Sequence, residues 1–224
     1  MNNALLHVIF PKDGTTDFLE EIIDYLKNQT KAIITVHRIN DLEQQLDFKS
    51  NIGDFIPINS NVLFIGHGTS SSLRGPVVPL NSFGPFFSES ELSLFKTHRI
   101  ILLTCRSSDY LKKYGKESGL KAGIGFPNLI TDYYEIIYPE DPHRVTGLAE
   151  SEIILFRNVL VDIVKFSLEE FINGNLSFFQ LYKRIKLRSQ KALIKFYNRN
   201  HDKGKLPYGK MLYDLNDGLG FIGN

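Results

Sequence analysis

The chain has 224 residues, a formal net charge of +1 at pH 7, 42% hydrophobic and 23% charged residues. This composition is ordinary for a globular protein, and the near-zero charge provides no global field that would attract nucleic acid or a membrane surface. The one cysteine excludes an internal disulfide and any metal site built from several thiolates.

The amino-terminal residues lack the basic region and cleavage site of a signal peptide. No apolar run approaches the ~18 residues of a membrane span. We therefore expect a cytoplasmic protein with no membrane partner, no cofactor and no metal.

The first 130 residues alternate between apolar runs and amphipathic segments. Buried strands are predicted over 4–10, 31–39, 61–68, 99–105 and 122–130. Helices are predicted between them, over 17–29, 41–51, 88–97 and 107–118. Apolar strands that alternate with helices indicate a mostly parallel sheet covered on both faces. The predicted fold class is α/β, a three-layer α-β-α sandwich.

Two connections attract attention. The segment 11–17, PKDGTTD, matches no glycine-rich phosphate fingerprint and is interpreted as a turn. The segment 69–87 is rich in serine, glycine and proline and is predicted to be a long surface loop, a type of segment that often carries function.

The rest of the chain is predicted to contain a loop, two helices and a final strand or hairpin, over 131–147, 148–174, 176–200 and 210–224. We expect one domain over 1–224. Its residues 1–130 would form the α/β core, and its residues 131–224 would add the loop, the helical pair and the final strand.

Two chemically active side chains end consecutive predicted strands. His67 follows NVLFIG, and Cys105 follows RIILLT 38 residues later. Ligands of open α/β sheets bind beyond the carboxyl ends of the strands, and neighbouring strands lie about 5 Å apart. The two side chains are therefore expected to meet in one crevice.

An imidazole beside a thiol can take its proton and so create a thiolate nucleophile. We predict that Cys105 is the nucleophile and His67 the general base. The backbone N–H groups of Gly68 and Cys105 are expected to form an oxyanion hole. The competing interpretation is a structural cysteine, because cysteine is among the most buried residue types.

These strand ends resemble those of the caspase-like (clan CD) cysteine peptidases, most closely the bacterial CHAT domain group. The resemblance runs from VLFIGHG through IILLTCRSSDYL to AGIGFP, and continues in the helical segment FINGNLSFFQLYKRIKLRSQKAL. The caspase signature around the cysteine agrees only at Cys105 and Arg106, so specificity for aspartate is not implied.

The resemblance implies peptide-bond hydrolysis by a Cys105–His67 dyad, and no orienting Asp or Asn is nominated. It implies a specificity pocket built by residues 126–135, with Asn128 and Asp132 as candidate substrate-binding residues. It further implies a protein substrate, a regulatory or activating protein partner, and a role in bacterial defence or cell death. The competing and favoured interpretation of Asp132 is a loop acid that faces water.

Two other functions remain open. One is a non-catalytic caspase-fold module that docks a partner through the helices of 148–200. The other is a nucleic-acid-binding regulator that uses 183–210, where ten Lys or Arg residues accompany a single acid. Such a run is also typical of the solvated side of an amphipathic helix.

Overall fold

The computed structural model describes residues 5–11, 13–76, 84–132, 147–174, 176–199 and 207–223. Most of the predicted loop over 131–147 lies outside the described residues. The same holds for 77–83 within the segment 69–87, and for 200–206 within the basic segment 183–210.

Eight strands form two sheets. The strands are β1 (Leu5–Pro11), β2 (Ile33–Ile39), β3 (Asn61–Ile65), β4 (Leu73–Arg74), β5 (Pro85–Phe87), β6 (Arg99–Leu103), β7 (Ala122–Gly125) and β8 (Gly220–Gly223). The central sheet has the order β2-β1-β3-β6-β7-β8, and only β8 runs antiparallel to its neighbour. β4 and β5 form a small antiparallel sheet within the predicted loop 69–87.

Seven α-helices accompany the strands in the described part of the chain. They are α1 (Glu20–Gln29), α2 (Leu42–Ser50), α3 (Ile52–Phe55), α4 (Ser107–Tyr110), α5 (Glu150–Ile172), α6 (Phe178–Arg199) and α7 (Pro207–Gly218). A π turn, Leu111–Gly115, continues α4. The segment predicted as a helix over 88–97 forms a 3₁₀ helix, Ser90–Phe95.

The central strands are buried on both faces, as parallel strands between two helical layers must be. In β3, Leu63 and Ile65 face a core that α1, α5, α6 and α7 cover. Val62 and Phe64 face the opposite core, which α2, the 3₁₀ helix and the helical turn after Cys105 cover. The predicted three-layer α-β-α sandwich is therefore confirmed.

The carboxyl-terminal tail differs in part from the prediction. Residues 220–223 form the expected last strand, but the predicted hairpin is wrong because 207–218 form a helix. The helix buries apolar side chains at helical spacing against the core, namely Tyr208, Met211, Leu212 and Leu215. This burial outweighs the turn preference of Asn216, Asp217 and Gly218.

Candidate active site

Three polar side chains follow three adjacent parallel strands at the same edge of the sheet. Asp13 follows β1, His67 follows β3 and Cys105 follows β6. Ile65 pairs with Leu103 in the β3–β6 register, so His67 and Cys105 each lie two residues beyond the last paired position. Adjacent strands lie about 4.8 Å apart, so this register directs both residues to one stretch of the edge.

The connections of the sheet open a crevice at this point. β1 continues through α1 to β2 on one side, whereas β3 continues to β6 on the other side. The two connections diverge between β1 and β3, which makes a topological switch point. Asp13 and His67 meet there, at the place where open α/β sheets bind their ligands.

His67 is held by two residues of the turn after β1. Its Nε2 atom lies 2.7 Å from Thr15 Oγ1 and 2.8 Å from Asp13 Oδ2. Thr15 donates its hydroxyl proton to Asp13 Oδ1 over 2.9 Å, and the backbone N–H of Thr15 reaches the same oxygen over 2.9 Å. The His67 side chain is 21% exposed, so the ring lies at the surface of the crevice.

These bonds determine which ring nitrogen carries the proton. Thr15 has one hydroxyl proton and donates it to Asp13, so its oxygen can only accept from His67. We therefore assign the proton of the neutral ring to Nε2, which leaves Nδ1 as the hydrogen-bond acceptor. Oδ2 of Asp13 has no aligned hydrogen-bond donor and interacts with the ring as an ionic contact.

Asp13 is buried and ionised. Burial by itself would raise the pKa of this carboxyl group, but the close contact with the His67 ring, the hydrogen bonds from Thr15 and the positive charge that His67 can carry outweigh it. The pKa of Asp13 is therefore held below its usual value. A fixed negative charge beside His67 stabilises the ring when it takes up a proton.

Cys105 lies at a tight turn between β6 and α4. Arg106 adopts a left-handed backbone conformation with φ of 55°, and its N–H donates to Pro127 O over 2.9 Å. The Cys105 side chain is half-buried, and Sγ donates to Leu129 O over 2.9 Å. Donation to a carbonyl favours the neutral thiol. The segment after β7 thus contacts the thiol directly.

Ser107 fixes this turn from inside the protein. Its hydroxyl is fully buried, lies within 2.9 Å of Leu102 O and Thr104 O, and accepts from the N–H of Phe126 over 2.8 Å. One side chain therefore ties the end of β6 to the end of β7, which keeps the backbone around Cys105 in place.

Gly68 packs tightly against the end of β6. A Cβ atom at this position would lie 2.4 Å from Thr104 Oγ1 and 3.1 Å from Cys105 O. Gly68 forms an antiparallel bridge with Leu73 through the N–H groups of Thr69 and Arg74. The N–H of Gly68 therefore points away from that bridge. The predicted oxyanion role of Gly68 and Cys105 remains a prediction.

Gly68→Ala is expected to destabilise the protein by about 1–3 kcal/mol, because Thr104 is buried and cannot yield to the new methyl group. Chemical denaturation measures the change. Gly53→Ala is the matched control, since a Cβ atom there meets nothing within 4 Å. Equal stability of the two variants would contradict the tight packing of the two strand ends.

The two candidate substrate-binding residues are separated. Asn128 lines a cavity of about 250 Å³ next to Arg106, together with charged side chains of the turn after Cys105 and of α7, namely Asp109, Lys112, Lys210, Asp214 and Asp217. Asp132 is half-buried and lies outside the lining of this cavity. The cavity is polar, and its cations and acids partly neutralise one another.

Sequence analysis missed Asp13 and Thr15. Within the segment 11–17, predicted to be a turn, residues 13–16 form one, since the N–H of Thr16 donates to Asp13 O over 3.0 Å. Asp13 in this turn nevertheless follows a buried strand, which is the same signal that singled out His67. Applied to β1, that rule would have nominated Asp13.

The chain matches no protein-family model, no curated protein and no solved structure. Among the described residues, no group of three or more His, Cys, Asp or Glu side chains is placed to hold a metal ion. None of the described helices combines the length and apolar character that crossing a bilayer requires.

Proposed function

We propose that this protein is a cysteine peptidase of the caspase-like type, with Cys105 as nucleophile, His67 as general base and Asp13 as the residue that orients His67. The observation that carries the proposal is the contact of His67 Nε2 with Asp13 and Thr15, at a strand end adjacent to the one that carries Cys105. Imidazole, carboxylate and thiol at adjacent strand ends are the groups that thiol-dependent acyl transfer needs.

In the proposed reaction, substrate binding draws the Cys105 thiol away from Leu129 O, and Nδ1 of His67 takes its proton. The thiolate attacks the carbonyl carbon of the peptide bond and forms a tetrahedral intermediate. The N–H groups of Gly68 and Cys105 would stabilise its oxyanion. His67 then protonates the leaving amine, the C–N bond breaks, and a thioester forms on Cys105.

Hydrolysis completes the proposed cycle. His67 takes a proton from a water molecule, which attacks the thioester carbonyl. The C–S bond breaks, the carboxylic acid product leaves, and the proton returns from His67 to the Cys105 sulfur. Asp13 stays ionised throughout and stabilises the imidazolium that forms in each half of the cycle.

The substrate side of the proposal rests on the resemblance to the CHAT group. A protein substrate, a regulatory protein partner and a role in bacterial defence or cell death follow from that resemblance alone. The proposed cytoplasmic location rests on the sequence features given above instead. The polar cavity lined by Asn128 lies next to Arg106 and is the candidate site for a substrate side chain.

One observation favours the second candidate, a non-catalytic interaction module. The Cys105 thiol is half-buried and donates to Leu129 O, an arrangement that also suits a structural cysteine. Thiol alkylation separates the two functions. Since Cys105 is the only cysteine, the mass shift of the whole protein reports this residue alone.

For the peptidase, we expect Cys105 of the native protein to react with iodoacetamide at neutral pH, and the rate to fall about tenfold in His67→Gln. His98→Gln is the matched control, because His98 precedes the opposite end of β6. A thiol that reacts only after unfolding, with the same rate in all variants, would favour the interaction module.

The direct test is a library of fluorogenic peptides that differ at the residue before the cut. We expect hydrolysis of a subset by the native protein and none by Cys105→Ala. Hydrolysis that persists in Cys105→Ala would refute the proposed nucleophile. If Cys105 is alkylated fast and in a His67-dependent way but no peptide is hydrolysed, the thiol is activated and the library lacks a suitable substrate.

A further inference from the structure

The outer helical layer carries two grooves of opposite charge on either side of α5, which packs between α1 and α6. The acidic groove, between α1 and α5, has a volume of about 600 Å³ and is lined by Asp17, Glu20, Glu21 and Asp24. The basic groove, between α5 and α6, has a volume of about 670 Å³ and is lined by Arg188, Lys191, Lys195 and Arg199. Two acids, Glu152 and Asp162, also reach the basic groove.

Ion pairs within the chain neutralise only part of these charges. In the acidic groove, Glu20 pairs with Arg38 and Glu21 pairs with Lys165. In the basic groove, Arg188 pairs with Glu170 and Asp162 pairs with Lys165. Among the described residues, these pairs leave charges without an ionic partner on both sides, namely Asp17 and Asp24 on one, and Lys191, Lys195 and Arg199 on the other.

An apolar ridge on α5 lies between the two grooves, and α6, on the far side of the basic groove, exposes one more apolar residue. The outer side of α5 exposes Ile154 and Leu155, which are 50% and 49% accessible, and α6 exposes Ile194 at 49%. Apolar side chains at the centre of a patch with charges at its rim are the usual anatomy of a protein interface.

We propose that this helical face binds a second copy of the chain, as a dimer whose two-fold axis runs parallel to α5. The two grooves lie at the same position along the axis of α5. The α5 residues that line the acidic groove are Asn158 and Val161, and those at the same level that line the basic groove are Leu155 and Val159. Rotation about an axis parallel to α5 preserves this position and exchanges the two sides. Each acidic groove then faces a basic groove of the other copy.

The charges select this axis over the alternative one. A two-fold axis in the interface but perpendicular to α5 would place acidic groove on acidic groove and basic on basic, which is repulsive. The parallel axis gives two attractive contacts and brings the ridges with Ile154 and Leu155 together at the centre. The two copies of α5 therefore run in the same direction.

A second copy suits this face better than a partner of one charge sign. Nucleic acid or an acidic protein would match only the basic groove and would be repelled by Asp17 and Asp24. The surface instead carries acidic and basic residues at positions that a two-fold axis parallel to α5 brings together. This is the self-complementarity that a two-fold interface requires.

Charge reversal tests the proposal. Asp17→Lys/Asp24→Lys places lysines in the acidic groove, so both groove contacts of the dimer bring cations together and become repulsive. Lys191→Glu/Lys195→Glu places acids in the basic groove, so both groove contacts bring acids together and become repulsive. We expect sedimentation equilibrium at low ionic strength to show a dimer for the native protein. We expect dimerisation at least ~10-fold weaker for each variant alone.

Mixing gives the decisive result. In an equimolar mixture of the two variants every groove contact pairs a lysine with an acid, so a mixed dimer is expected to form. The variant that carries all four substitutions is expected to dimerise by itself. Lys113→Glu/Lys116→Glu is the matched control for Lys191→Glu/Lys195→Glu, since it lowers the net charge by the same amount on the opposite side of the sheet and should leave the dimer intact.

Three results would overturn the proposal. They are a native protein that stays monomeric at low ionic strength, reversed variants that dimerise like the native protein, and a mixture that remains monomeric. A mass that grows beyond the dimer with concentration would likewise contradict the proposal, because a two-fold interface is used up once two copies have associated.

Discussion

Asp13→Asn is expected to lower the turnover of the proposed peptidase by about 10²–10⁴-fold while the fold remains intact. The carboxylate holds the Nε2–H form of the His67 ring and stabilises the imidazolium that forms during the reaction. An amide keeps the shape of the side chain but has no charge, and its NH₂ group can face Nε2 and reverse the ring tautomer. Turnover of a fluorogenic peptide measures the loss.

The ring-nitrogen NMR spectrum of His67 provides a readout that a merely structural role of Asp13 would not change. We expect the Nε2–H form in the native protein and a shift toward the Nδ1–H form in Asp13→Asn. Asp54→Asn is the matched control, because Asp54 is an exposed acid of α3, which precedes β3, whereas His67 follows the other end of that strand. An unchanged tautomer together with native turnover would contradict the role given to Asp13.

Thr15 allows a graded test of the same network. Thr15→Val removes the hydroxyl that links His67 to Asp13 but keeps the shape of the side chain. We expect a loss of about tenfold, smaller than that of Asp13→Asn, because the ionic contact with Asp13 remains. Thr15→Ser, which keeps the hydroxyl, is expected to retain most of the turnover.

The second large effect is a loss of stability in mild acid, caused by His7. This residue of β1 is 3% exposed, and its Nδ1 lies 3.0 Å from His37 Nε2. Its own Nε2 is buried and has no hydrogen-bond partner among the residues that the structure describes. Burial, and then the charges of His37 and His98, lower the pKa of His7 to about 4. A protonated His7 would carry a second, unsatisfied N–H in the core.

The sign of the pH effect follows from linkage. Unfolding frees His7 to take up a proton at its ordinary pKa of 6.5, so acid favours the unfolded chain. The stabilisation is complete above pH 6.5, decreases as the pH falls, and is lost below about pH 4. The whole effect amounts to roughly 3 kcal/mol, of which about 2 kcal/mol is lost by pH 5.

Urea denaturation at pH 8 and pH 5 measures this effect. His7→Gln removes the titration of His7 and keeps an amide that can bond His37, so its stability should change less between the two pH values. The change that remains is expected from His37, whose pKa burial also lowers. Asp13 and Glu91, whose pKa values are lowered, affect the stability mainly below about pH 5. A carboxylate with a lowered pKa stabilises the folded protein until it becomes protonated. A variant with the same pH dependence as the native protein would show that His7 is not the cause.

Much of the fold follows from local patterns. The apolar runs of β3 and β6 have no polar alternation, which predicts parallel strands buried on both faces, and both are buried. Local patterns failed at α7, where turn residues near its end concealed the helical spacing of Met211, Leu212 and Leu215. Packing against the core stabilises that helix, and a short stretch of sequence does not reveal which core it will meet.

The candidate site likewise combines features that are visible in the local sequence with features that depend on the tertiary structure. The sequence by itself determined that an imidazole and a thiol end two buried strands, because strand ends can be recognised locally from apolar runs and the residues that follow them. Only the tertiary structure decided that β1 lies beside β3, which brings Asp13 and Thr15 to His67 across more than 50 residues of chain. Strand order depends on the packing of the whole sheet, and no local spacing encodes it.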